Sequence, residues 1–176
     1  MGSTIAELSQ GIRSGMDQVL TNLRTASAEL GDGLGAGEFT ELLKVAFSQR
    51  NCLDAALSGA IGALDKAVEK ADGRASMALS CAEWLSQNLH ISSSAGYAQV
   101  RLARELPFLP STADAFRRGE LSPQHASVVL RSVEQVTRGG GDRAEAEALL
   151  LQEARQRDPR DLLRWGLMVR RELRGL

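Results

Sequence analysis

Apolar residues recur at three- and four-residue steps from the start of the chain. Within Ser3 to Leu30, Ile5, Leu8, Ile12, Met16, Val19, Leu20 and Leu23 fall on one face of a helix. Four glycines between Gly31 and Gly37 end that pattern and predict a short connector. A second run, Glu38 to about Ala71, carries Phe39, Leu42, Leu43, Ala46, Leu53, Leu57, Ala60, Ile61, Leu64 and Val68 in the same period. As a helix it would be about 50 Å long, so two long helices joined by a short loop predict an antiparallel hairpin with room for a dimer seam. One helix broken near Gly59 and Gly62 is the alternative.

Beyond residue 75 the pattern shortens and serines mark the starts of helices. Ser80 precedes Cys81 to Leu89, Ser92 precedes Ser93 to Leu106, and Ser111 precedes Thr112 to Arg118. Ser122 stands before Pro123, a proline suited to the first helical position. Asp142 opens a helix through Gln156, and Asp158-Pro159 opens a last one to about Arg174. Strand-like alternation is missing throughout. The expectation is an all-α chain: a helical hairpin over 1–75, where dimerisation would occur, then a compact bundle of short helices over 76–176 with a helix-turn-helix-like segment at 81–106.

Composition agrees with helix-on-helix packing, since aromatics are 4% and the interior is left to Leu and Ala. Charge changes the picture more. The net formal charge is −1, which is no footprint of a strongly basic nucleic-acid-binding domain. It is unevenly spread: residues 1–92 hold 7 Lys+Arg against 11 Asp+Glu, net −4, and residues 93–176 hold 14 against 11, net +3. A polyanion would meet the second half. Cys52 and Cys81 lie in helical patterns without metal-ligand spacing and read as free thiols, which suits a reducing cytoplasm. The chain has no membrane-spanning run and no signal-peptide pattern.

Catalytic chemistry has little to work with. His90 and His125 are 35 residues apart without an adjacent carboxylate or cysteine, and no phosphate-binding glycine loop, nucleophile elbow or zinc-protease pair is present. No enzyme, metal, cofactor or small-molecule substrate is therefore expected. Glu145 and Glu147, two apart on a helix, read as a solvated charged face. His125 reads as a capping or packing residue and Gly119 as a helix end. Trp165 and Leu162 read as anchors for a last helix whose arginines (Arg155, Arg157, Arg160, Arg164, Arg170, Arg171, Arg174) form a solvated face or a phosphate contact.

The segment from Cys81 to Leu106 has the order of a helix-turn-helix: a short helix, the turn His90-Ile91-Ser92, and a second helix with an exposed start. That second helix offers Ser93, Ser94, Tyr97, Gln99, Arg101 and Arg104 as candidate DNA contacts, while Val100, Leu102 and Ala103 pack it down. Convergence of Arg101, Arg104, Arg117, Arg118 and Arg131 around Ser93 and Tyr97 would favour binding; acidic residues on that face would oppose it.

Trp84-Leu85, Arg101-Leu102-Ala103, Leu106, Leu109-Pro110-Ser111-Thr112-Ala113 and Gly119-Glu120-Leu121-Ser122-Pro123-Gln124-His125-Ala126 resemble the domain of unknown function 222 family, also called the 13E12 repeat family, of actinobacterial proteins. The likeness covers roughly Leu42 to Leu173, with Arg50 to Leu57 and Arg157 to Leu163 inside it. In that family the helical domain commonly precedes an HNH endonuclease domain, so the resemblance implies an accessory region of a DNA-processing protein. The HNH motif itself is missing from these residues. Cys81 to Leu130 is also similar in element order to the DNA-binding region of ParB-type partition proteins, with a departure of about one residue before Pro107. The expected function is a helical DNA-binding or DNA-positioning module that is homo-oligomeric through its long helices. The alternative is a protein-interaction or oligomerisation module that binds no nucleic acid.

Overall fold

A computed structural model describes residues 2–29, 35–72 and 80–172. These residues form eight α-helices and no strand: α1 (Gly2–Glu29), α2 (Ala36–Asp72), α3 (Cys81–Leu89), α4 (Ser93–Glu105), α5 (Pro110–Arg117), α6 (Pro123–Arg138), α7 (Arg143–Ala154) and α8 (Pro159–Glu172). A single 3-10 turn, Leu106–Phe108, joins α4 to α5. The all-α expectation holds, and α2 runs unbroken through Gly59 and Gly62. Most of the Gly31–Gly37 connector, the 75/76 boundary and Arg174 lie outside the described residues.

The chain divides into two compact units, Met1–Ala46 and Phe47–Leu176. The division therefore falls inside α2, where the sequence reading placed it near residue 75. The reason is burial: Ala55, Ser58 and Asp65, in the later part of α2, are buried residues of the second unit. In the first unit, Leu8, Ile12, Met16, Val19 and Leu20 of α1 are exposed.

The second unit is built around α6, which packs on α7 and α8. Ala126, Val129, Leu130, Val133 and Val136 of α6 recur at helical spacing and meet Leu150, Leu151 and Ala154 of α7, Leu162 of α8, and Leu109, Phe116 and Leu121 around α5. Leu162 is fully buried and Trp165 packs at the edge of this core, as anchors of α8 should. The Arg157 guanidinium stacks 5.9 Å from the Trp165 ring centre.

Local chemistry sets the helix ends. Ser122 accepts the His125 amide at 3.2 Å ahead of Pro123, and Asp142 accepts the Glu145 amide at 2.8 Å. At the end of α5, Gly119 takes φ +75 while its amide bonds the Phe116 carbonyl and that of Glu120 bonds the Ala115 carbonyl; Gly140 (φ +93) ends α6 with the same pair of bonds. Gly119 is thus the helix end that its sequence context indicated. Ser111 is not the cap expected of it: α5 starts at Pro110, two residues before Thr112, with no side-chain cap from its own segment. The missing acceptor comes from α7, where Glu147 takes the Thr112 amide at 2.7 Å. Glu147 is buried and Glu145 exposed, so the solvated-face reading holds for Glu145 alone.

Candidate nucleic-acid interface

The α3–α4 unit is assembled from short-range hydrogen bonds. Ser80 and Glu83 form a reciprocal capping box at the start of α3. Hydrogen bonds from the Ser80 hydroxyl and amide hold the Glu83 carboxyl below its ordinary range. At the other end, His90 takes the left-handed conformation (φ 53), and the Ser86 hydroxyl donates to the Ile91 carbonyl at 2.8 Å, fixing the three-residue turn. Ser92 then caps α4 by accepting the Ala95 amide at 3.2 Å.

The two helices touch through backbone. A Cβ on Gly96 would stand 2.6 Å from the Ala82 carbonyl oxygen, an approach that only glycine permits. Cys81, Ala82, Leu85 and Val100 close a small core beneath them, with Ile61 and Leu64 of α2 and Ile91 of the turn packed against it. Burial raises the Cys81 thiol above its usual range, so it behaves as a packing residue.

The exposed side of α4 carries part of the predicted set. Ser93, Ser94 and Tyr97 are exposed at its start, with Tyr97 55% accessible, and Arg101 and Arg104 follow Tyr97 by four and seven residues along one stripe. Gln99 is exposed too, but at ~100° per residue it projects about 200° around the helix from Tyr97. It cannot share a groove with Tyr97 and Arg101. The helical period alone would have revealed this.

Four of the five arginines do not stand as free cations. Arg101 reaches Glu105 at 2.9 Å and Glu134 of α6 at 2.7 Å, and its hydrogen bond to Glu105 raises the guanidinium further above its usual range. Arg104 grips the buried Asp65 of α2 with two bonds, 2.5 and 2.8 Å. Arg117 pairs with Asp114, and Arg118 pairs with Glu120, which also receives Arg155. Arg131 is exposed one helical turn before Glu134 and pairs with no carboxylate among the described residues. The convergence test is therefore divided: Tyr97, Arg101 and Arg104 do line up, but with Glu105, Glu134 and Asp65 among them. Glu134 and Asp65 were missed because each lies on another helix, far in sequence from its arginine; Glu105, four residues after Arg101 on α4, was within reach of the helical period.

His125 has both ring nitrogens engaged. Nε2 lies 2.9 Å from the Arg157 carbonyl, which can only accept, so Nε2 carries the proton and Nδ1, 2.8 Å from the Ser122 hydroxyl, accepts from it. The ring thus fastens the start of α6 to the turn before α8, as a packing role requires. Among the described residues no group of three His, Cys, Asp or Glu side chains could hold a metal ion, and no helix is long and apolar enough to cross a membrane.

With this geometry in place, comparison with known families is direct. The chain belongs to the family described as Domain of unknown function (DUF222), whose model matches residues 40–173. No curated protein and no solved structure matches it.

Proposed function

We propose that this DUF222 protein is a helical DNA-binding or DNA-positioning module that works in the reducing cytoplasm. The observation that carries the reading is the α3–turn–α4 unit, whose second helix begins with a capped but exposed N-terminus bearing Ser93, Ser94 and Tyr97. A helix start of this kind presents backbone amides and a partial positive charge to phosphate, and a helix fits the ~12 Å major groove. Tyr97 and the serines add hydrogen-bonding groups without the carboxylates that accompany Arg101 and Arg104. Where an actinobacterial HNH nuclease domain accompanies such a module, its role would be to hold that nuclease on the duplex.

Fluorescence anisotropy against random duplex DNA tests this. Saturable binding should weaken steeply as salt rises from roughly 50 to 200 mM. A Ser94→Glu/Tyr97→Glu double variant should bind at least about tenfold more weakly, a loss of ~1.4 kcal/mol, with unchanged helical circular dichroism. Absence of binding at tens of micromolar, or unchanged binding by the folded variant, would reject the reading.

A second reading, self-association, is favoured by one specific observation: α1 leaves Leu8, Ile12, Met16, Val19 and Leu20 exposed on an apolar face, with Ile12 66% accessible. Ile12, Met16, Val19 and Leu23 recur in steps of four, three and four, the spacing of a coiled-coil seam. A second copy of the chain is the partner that offers a matching seam. Sedimentation velocity should show a dimer that Ile12→Glu/Val19→Glu converts to monomer; a wild-type monomer at tens of micromolar would dispose of this reading.

A further inference from the structure

Within the second unit, a groove of about 430 Å³ runs between the later part of α2 and the end of α4 with its 3-10 turn. Its volume is in the ~300–1,000 Å³ range of small-molecule sites. Gly59 and Gly62 contribute no side chains to the α2 wall, and Phe108, 65% accessible, lines the groove from the 3-10 turn. Ser58 lines the same groove; it is only 6% exposed and its hydroxyl has no hydrogen-bond partner. That hydroxyl is closed to solvent, so it lies beneath the groove surface rather than facing an occupant. Lys66 and Arg104 also line the groove, and the one carboxylate there, Asp65, is already bound by Arg104.

An apolar side chain would fill the space but leave Lys66 unanswered. A nucleotide answers both features of the groove: its flat base stacks on the exposed Phe108 ring and its phosphate meets Lys66. A second groove on the other side of Phe108, about 180 Å³, is lined by Glu105 and Glu134 against Arg143 and suits a polyanion less well. Arg104 also ends the stripe that starts at Ser93, about 10 Å along α4 from Tyr97, so the larger groove continues the proposed DNA-contacting surface.

We propose that this groove receives one unstacked nucleobase of a DNA strand, an inference that rests on the DNA-binding reading above. Apart from that reading, it predicts that single-stranded DNA is held by its bases and duplex by α4. Anisotropy with a labelled oligothymidine, the same strand with abasic sites, and a duplex separates the two. Phe108→Ala, at an exposed ring, should weaken oligothymidine binding about tenfold and leave duplex binding unchanged; Lys66→Glu should act in the same direction. The abasic strand should bind wild type no better than oligothymidine binds Phe108→Ala. Equal binding of abasic and intact strands, or no effect of Phe108→Ala while duplex still binds, overturns the groove proposal and spares the DNA reading. Failure of strand and duplex alike overturns both.

Discussion

Gly119→Ala should destabilise the protein by about 3 kcal/mol, lowering the thermal midpoint by roughly 6–12 °C for a chain of this size. Two independent costs add at this position. The φ of +75 disfavours any residue with a Cβ, by ~1–2 kcal/mol. In addition, the turn after α5 is pressed against α2: a Cβ at Gly119 would lie 2.6 Å from the Ser48 hydroxyl and 2.8 Å from the Cys52 sulfur, and closer still to the Ser48 carbonyl oxygen. Relieving that overlap means moving a backbone carbonyl of α2, a repacking of ~1–3 kcal/mol. The same contact carries a hydrogen bond, Asn51 Nδ2 to the Gly119 carbonyl at 3.1 Å, which the shift would stretch. Gly140→Ala is the internal control, because Gly140 has φ +93 and nothing within 4 Å of its Cβ position. Its loss should be limited to the conformational cost. Urea unfolding of both variants measures the difference; equal losses would mean that α2 does not press on the α5 turn in solution.

That contact shows where sequence reading stops. Gly119 was legible as a helix end because a glycine after Arg117-Arg118 and before Leu-Ser-Pro is local chemistry. The same locality made the caps at Ser80, Ser92, Ser122 and Asp142 readable. What faces Gly119 is Ser48, about seventy residues away, and no periodicity carries that information. Arg101 and Arg104 repeat the lesson. Their stripe with Tyr97 follows from helical spacing, yet their electrostatic state depends on Glu134 and Asp65, from other helices. Two placements follow from the helical period itself. Gln99 sits two residues from Tyr97 and two from Arg101, so the 3.6-residue period already places it elsewhere. Glu147 sits three residues before Leu150 and four before Leu151, both buried, and so belonged to the inward face of α7 from the start.

Glu147→Ala should be the second large loss, about 2–4 kcal/mol. α5 begins at Pro110 with Leu109 as its cap residue, and a leucine side chain has no oxygen to offer the first-turn amides. The Thr112 amide is met by Glu147 from α7 at 2.7 Å, in a place where Glu147 is 5% exposed and Thr112 fully buried. Truncation would leave that N–H without a partner and without water, at ~1–3 kcal/mol, and would open a void where the side chain stood. The comparison with Glu147→Gln decides what the carboxylate contributes. An amide oxygen can accept the same bond, and it removes the desolvation cost of a buried charge while giving up the attraction of an anion to a helix start, ~0.3–1 kcal/mol. These terms oppose each other, so the glutamine variant should stay within about 1 kcal/mol of wild type. A glutamine variant as unstable as the alanine one would show that the negative charge, rather than the hydrogen bond, secures α5 to α7. An alanine variant as stable as wild type would show that water reaches the Thr112 amide, and that the junction between α5 and α7 is looser than a carboxylate buried at 2.7 Å from that amide implies.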